Sequence, residues 1–162
     1  MSVVAWDGTT LAADKQVTYG DMACLGKKLF LSDDGLTVMA KVGDSAHGAV
    51  MMEWYTEVMA ARSAGLEEPE FPKIESYADS FTILIVATPE GAMYFEQTGM
   101  GYPIRVYQGN MAWGSGREFA MGAMVMGASA IDAVGVAIDL DIHCGKGVEA
   151  YDLVDGIFEK TA

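Results

Sequence analysis

Ser2-Val3-Val4-Ala5-Trp6-Asp7-Gly8-Thr9-Thr10-Leu11-Ala12-Ala13-Asp14 is the stretch whose reading decides the fold. Residues 2–6 are a short β-forming run, Asp7-Gly8 is a two-residue hairpin turn signal, and residues 9–13 are a second run. The pattern predicts a β-hairpin. The turn comes too early to leave room for the basic and long apolar regions of a signal peptide, so the chain is expected to start folding essentially at its first residue.

Outward from the hairpin, Val17-Thr18-Tyr19 ends at Gly20-Asp21, residues 25–31 carry Lys27-Lys28 between apolar neighbours, and residues 36–41 follow the turn Ser32-Asp33-Asp34-Gly35. A helical period begins at the cap residues Asp44 and Ser45. Ala46, Val50, Trp54, Val58 and Ala61 are read as its apolar face and Gly65 as its stop. Residues 66–74, polar and holding Pro69 and Pro72, read as a connection. Residues 81–88, 92–96, 104–108 and 111–113 form a second set of strands, the first two joined through Pro89-Glu90-Gly91. After Gly114-Ser115-Gly116 the chain reads as helix from Arg117 to about Met126 and, past Gly127, from Ala128 to about Leu140, with a last strand near residues 147–151. Segregated strands and helices argue for an α+β fold of two antiparallel sheets covered by helices, and against a parallel βαβ sheet.

A chain of 162 residues fits one domain, over residues 1–162, and can bury a core without disulfides or metals. Its mean hydropathy of +0.20 is high for a soluble monomer, and oligomer interfaces are the natural place for the surplus apolar surface. A net charge of −13, with ten Lys and Arg in no run or stripe, argues against nucleic acid. Cys24 and Cys144 stand far apart without CxxC spacing, which indicates neither a zinc site nor a disulfide framework and suits a reducing cytoplasm. No segment approaches the ~20 continuous apolar residues of a membrane span.

The ordered positions of this chain resemble the proteasome β-subunit and HslV family of N-terminal nucleophile hydrolases. The resemblance runs over roughly residues 2 to 153. The opening Ser2-Val3-Val4-Ala5-Trp6-Asp7-Gly8 with Leu11-Ala12-Ala13-Asp14 is similar to the family's start, where a Thr or Ser begins the first strand and an aspartate ends the second. Thr18 matches the threonine four residues on that holds substrate backbone, and Lys28 falls where the family has its active-site lysine. Gly43, in Val42-Gly43-Asp44-Ser45, matches the glycine whose amide serves the oxyanion. Gly114-Ser115-Gly116 resembles the "GSG" before a helix, and Asp141-Ile142-His143-Cys144-Gly145 is similar to the family's Asp-x-x-Ser/Thr-Gly. Ser2, Val3 and Cys144 depart from the usual Thr, Thr and Ser or Thr.

The resemblance implies a four-layer αββα sandwich and a peptidase whose nucleophile is Ser2 after Met1 is removed. It implies Asp14, Lys28, Gly43, Ser115, Asp141 and Cys144 around Ser2, and substrate contacts from Thr18, Gly43, Val17 and His47. It also implies peptide or unfolded-protein substrates, a homo-oligomeric ring, room for an ATP-dependent unfoldase partner, and no cofactor. The chemistry needs these residue types. A serine hydroxyl is a weak nucleophile until a base takes its proton, and a terminal serine carries its own base: an α-amine of pKa about 7.7–8.0. A lysine nearby depresses that pKa, and an aspartate keeps the lysine charged and oriented.

Taken singly these residues have plainer readings: Asp14 as a turn residue, Gly43 as helix punctuation, Lys27 as a solvent-facing neighbour. A lysine inside an apolar run is less easily explained, and Lys28 leans functional. His47 and His143 lack partners at metal-ligand spacing. Met121-Gly122-Ala123-Met124-Val125-Met126 reads as core or ring interface, and GxSxG is absent. Two alternatives stand beside the peptidase: an amidohydrolase of small amides on the same fold, and a non-catalytic structural or binding homologue that retains Met1.

Overall fold

The computed structural model describes residues 2–75 and 81–154, and the backbone of 157–161. Two five-stranded antiparallel sheets carry the architecture. Strands β1 (Val3–Trp6), β2 (Thr10–Asp14), β10 (Met111–Gly114), β11 (Val148–Asp152) and β12 (Ile157–Thr161) form the first, in the order β10-β1-β2-β11-β12. The second has β5 (Leu29–Leu31), β6 (Val38–Val42), β7 (Ile83–Thr88), β8 (Gly91–Glu96) and β9 (Ile104–Arg105) in sequential order. A separate hairpin pairs β3 (Gln16–Tyr19) with β4 (Met22–Leu25).

The opening hairpin forms as its pattern requires, with Val4 opposite Ala13, Ala5 opposite Ala12 and Trp6 opposite Leu11. Its turn is one residue longer than expected, spanning Asp7-Gly8-Thr9. Asp7 Oδ1 accepts from the Thr9 and Thr10 amides at 3.1 and 2.9 Å, and Gly8 takes φ +101°, a conformation that favours glycine. Because side chains alternate, this register sends Val4, Trp6, Leu11 and Ala13 to one face and Val3, Ala5 and Ala12 to the other. The first set packs with Leu29, Val38, Ala40, Val42 and Ile85 of the second sheet. The second set packs with α2 (Arg117–Val125) and α3 (Ala130–Leu140), chiefly Ala120, Met124, Ala133, Val134 and Ala137. The far face of the second sheet, through Met39, Leu84, Val86 and Phe95, packs on α1 (Ser45–Ala64). Strands and helices are segregated, and the chain is α+β.

Helix ends follow their caps. Asp44 accepts from the His47 amide ahead of α1, Gly65 closes that helix at φ +67°, and Ser129 accepts from the Asp132 amide ahead of α3. The expected face of α1 is corrected. Its buried residues are Gly48, Met51, Trp54, Tyr55 and Val58, whereas Val50 is 43% exposed. Steps of four residues advance ~400° around a helix of 3.6 residues per turn, so Ala46, Val50, Trp54 and Val58 drift around the cylinder; alternating steps of three and four stay on one face.

Residues 25–31 are also corrected: they are two strands in two sheets. Gly26 breaks the run where its amide donates to Lys15 O at 2.7 Å, and a Cβ there would lie 2.2 Å from Val17 Cγ2. The chain then crosses through Lys27 and Lys28 to β5. Strands β4 and β12 were not expected, and β9 is shorter than residues 104–108.

Candidate active site

β2 lies between β1 and β11, so its last residue is interior, and the Asp14 carboxylate is completely buried. An ionised carboxylate survives there only with donors around it. Asp14 has four. Oδ1 accepts from Lys28 Nζ at 2.5 Å and from the Val3 amide at 3.0 Å; Oδ2 accepts from the Gly145 amide at 3.0 Å and the Gln16 amide at 3.2 Å. One group thus ties together the backbone next to Ser2, the crossing that carries Lys28, and the loop after α3.

Lys28 is held at both ends. Its amide donates to Glu149 Oε1, joined there by the Leu29 amide at 3.0 Å, while its ammonium is held by Asp14. Glu149 is 2% exposed, on β11. Burial pulls the Lys28 ammonium below its ordinary pKa and outweighs the opposing pull of Asp14. The lysine is therefore a less reluctant proton donor than a free one, yet keeps a carboxylate partner.

Ser2 is 5% exposed. Its carbonyl accepts from the Gly116 amide at 3.3 Å and Ser115 Oγ at 3.4 Å, and the next amide, of Val3, is fixed by Asp14. Gly114, opposite Val3, is obligatory: at φ +99°, a Cβ would sit 2.0 Å from Ser2 O. Ser2 lies where two cavities meet. One of about 480 Å³ has Val17, Thr18, Lys28 and Gly43 in its wall; the other, of about 570 Å³, is lined by Ile83, Tyr94, Met111, Trp113 and Ser115. Gly43 borders both at φ +99°, packed so closely that a Cβ would lie 2.1 Å from Phe81 O. Met1 lies outside the described residues, and so does its removal.

The loop after α3 forms the outer part of the site. Asp141 caps that helix and accepts from the His143 amide at 2.9 Å and Cys144 Sγ at 3.4 Å. Burial works against ionisation of Asp141, but its hydrogen bonds, led by the one from the His143 amide, prevail and hold its carboxyl below the usual range. The Cys144 thiol is pushed up to about 12 by burial, then by the charges of Asp14 and Asp141. It is a neutral donor at neutral pH, without the thiolate character of a nucleophile.

Ser2, Asp14, Lys28 and Ser115 are thus linked by direct contacts or shared walls, with Asp141 and Cys144 one step further out. Thr18, Val17 and Gly43 line the 480 Å³ cleft. His47 does not; its amide donates to Asp44 Oδ1 at 2.9 Å inside the first turn of α1. Glu149 and Gln16 were missed. Glu149 is a lone carboxylate in the apolar run Val148–Tyr151, an anomaly of the same kind that marks Lys28. Gln16, whose Nε2 donates to Ile142 O at 3.2 Å, carries no sequence signal. Among the described residues, no three His, Cys, Asp or Glu side chains gather as metal ligands, and no helix is long and apolar enough to cross a membrane.

No protein-family model matches the chain, and no curated protein does. Among solved structures, the crystal structure of eukaryotic HslV from Trypanosoma brucei superposes with a TM-score of 0.65 and 22% identity, over 93% of this chain and 98% of that one. The likeness is one of fold: the chain has an HslV-like fold.

Proposed function

We propose that this chain is a serine-type N-terminal nucleophile peptidase, cutting peptide bonds through Ser2 once Met1 is removed. The reading takes it as one domain, a four-layer αββα sandwich, that works in the cytoplasm inside a homo-oligomeric ring, with unfolded protein as substrate and an ATP-dependent unfoldase as partner. One observation carries the chemistry: Asp14 Oδ1 accepts from both Lys28 Nζ and the Val3 amide, so a buried ammonium and the backbone next to Ser2 are anchored to the same oxygen. A structural ion pair alone does not require its lysine to share a cavity wall with the nearly buried Ser2. The ring is supported by exposed apolar residues on and after α2 and α3, including Val125, Met126, Leu140 and Ile142.

In this reading the freed Ser2 amine takes the proton from Oγ, directly or through a water, as Oγ bonds to the scissile carbonyl carbon. Lys28 lowers the amine's pKa by like-charge repulsion and stabilises the developing alkoxide. The Gly43 amide donates to the tetrahedral oxyanion, a contact worth about 3–4 kcal/mol in other hydrolases. The intermediate collapses as the amine returns the proton to the leaving nitrogen, and water then hydrolyses the acyl ester. Ser115, Asp141 and Cys144 orient the amine from outside. No cofactor is required.

The test is hydrolysis of a mixed fluorogenic peptide set by the purified protein and by Ser2→Ala, Lys28→Met and Glu90→Ala, the last as a control in the β7–β8 turn, at the end of β7 away from Gly43. Loss of turnover in the first two alone supports the reading; equal rates in Ser2→Ala and the unchanged protein would end it.

A further inference from the structure

The cleft of about 480 Å³ beside Ser2 has an unusual charge for this molecule. Among the described residues, three of the chain's ten Lys and Arg, namely Lys27, Lys28 and Lys41, are in its wall against one acidic side chain, Asp44, although the protein carries 23 Asp and Glu. Asp14 neutralises Lys28 from beneath, which leaves Lys27 and Lys41 facing Asp44.

The position of Lys41 is built by the fold. It lies on β6 between Ala40 and Val42, which both point to the other sheet, so its own side chain runs along the α1 side. There it crosses the helix at Gly48, where a Cβ would meet Lys41 Cδ at 2.6 Å and Cβ at 3.0 Å. The absent side chain at 48 is the groove that holds the lysine stem. Lys41 Nζ donates to Ser45 O at 3.0 Å, using one of its three protons. The Lys27 and Lys41 ammonium groups lie 5.4 and 5.9 Å from the centre of the same Phe30 ring. Thr18 Oγ1, in the wall of this cleft, is buried and has no hydrogen-bond partner among the described residues.

We infer that this cleft selects an acidic side chain, Asp or Glu, in the peptide segment held beside Ser2, with Lys41 as the specificity-determining residue and Lys27 assisting. The inference rests on the peptidase reading and narrows its substrate class. A carboxylate would take the two free Lys41 protons in charge-assisted bonds, whereas a neutral amide of the same shape would form weaker ones. Since a net charge of −13 repels acidic peptides at long range, the preference is local and is best read from matched peptides at one ionic strength.

The test measures binding of two fluorescent peptides that differ only in Glu against Gln, to Ser2→Ala protein by anisotropy, and their cleavage by the unchanged protein. The Glu peptide is expected to bind about tenfold tighter, equivalent to ~1.4 kcal/mol. Lys41→Met should remove most of that ratio and Lys41→Glu should invert it. Equal binding of the two peptides, no binding of either, or a Glu preference that survives in Lys27→Met/Lys41→Met overturns the inference. Cleavage without a Glu preference would refute it while leaving the peptidase reading intact. A Glu preference in binding with no cleavage by the unchanged protein would refute the peptidase reading and leave the carboxylate site standing.

Discussion

Replacing Asp14 by Asn keeps the size of the side chain and removes the charge that organises the site. The carboxylate offers two oxygens to four donors; the amide offers one oxygen and adds two donors of its own. Either Lys28 and Val3, or Gln16 and Gly145, then face an NH₂ group. Removing one partner of a buried ion pair costs about 3–5 kcal/mol, so Asp14→Asn should be destabilised by ~4 kcal/mol. For a domain of this size that corresponds to a fall of roughly 10 °C in melting temperature. Lys28→Met should cost less, because the carboxylate it leaves still has three amide donors. The double variant should be more stable than the sum of the single losses, since no uncompensated ammonium remains. The pH dependence has a definite sign. Lys28 is held below 10.5 in the folded state, so the unfolded chain binds more protons between the folded value and 10.5, and stability from this group rises with pH across that window. Without Asp14 the lysine's pKa falls further, and the window should widen toward neutral pH. Urea melts of the unchanged protein and the three variants between pH 7 and 10.5 test this. A loss under about 1 kcal/mol in Asp14→Asn, or strict additivity with Lys28→Met, would falsify the buried-pair account.

Gly114→Ala should abolish peptide cleavage and lower the melting temperature, because its Cβ would fall 2.0 Å from the Ser2 carbonyl oxygen; turnover near the unchanged rate would contradict this placement. Glu149→Ala leaves the Lys28 and Leu29 amides without their acceptor, at about 1–3 kcal/mol each, and hydrogen exchange should show those two amides losing protection ahead of Phe30 and Leu31. Native protein treated with iodoacetamide at pH 8 should be alkylated at half-buried Cys24 and not at Cys144, whose thiol titrates at about 12; modification of Cys144 at the faster rate would overturn the assignment. Cys144→Ser supplies Asp141 with a stronger donor and should hold or raise turnover, with a fall counting against the hydrogen-bonding role given to the thiol.

The hairpin was readable because its alternation and its Asp-Gly turn are local. Lys28 was readable as a misfit in an apolar run. What escaped depends on contacts distant in sequence. Glu149 accepts from amides 121 and 120 residues away, and the β2–β11 pairing that buries Asp14 has no local trace. The split at Gly26 was hidden because Leu25 to Leu31 has strand composition throughout, and only the close approach of Val17 reveals that the chain must change sheets. The α1 face was misjudged by following one spacing instead of the 3.6-residue period. Lys41 was passed over because a lysine near a strand end is ordinary until Gly48, in the first turn of α1, shows where its stem lies.

The central claim is that Ser2 is a terminal nucleophile, and intact mass followed by covalent labelling addresses it most directly. The purified protein should lack the mass of Met1. A peptide electrophile that bonds to both the hydroxyl and the amine of a terminal serine should add once, at Ser2, and not to Ser2→Ala. Retained Met1 with no adduct, or equal labelling of Ser2→Ala, would contradict the account and leave an HslV-like fold without its chemistry.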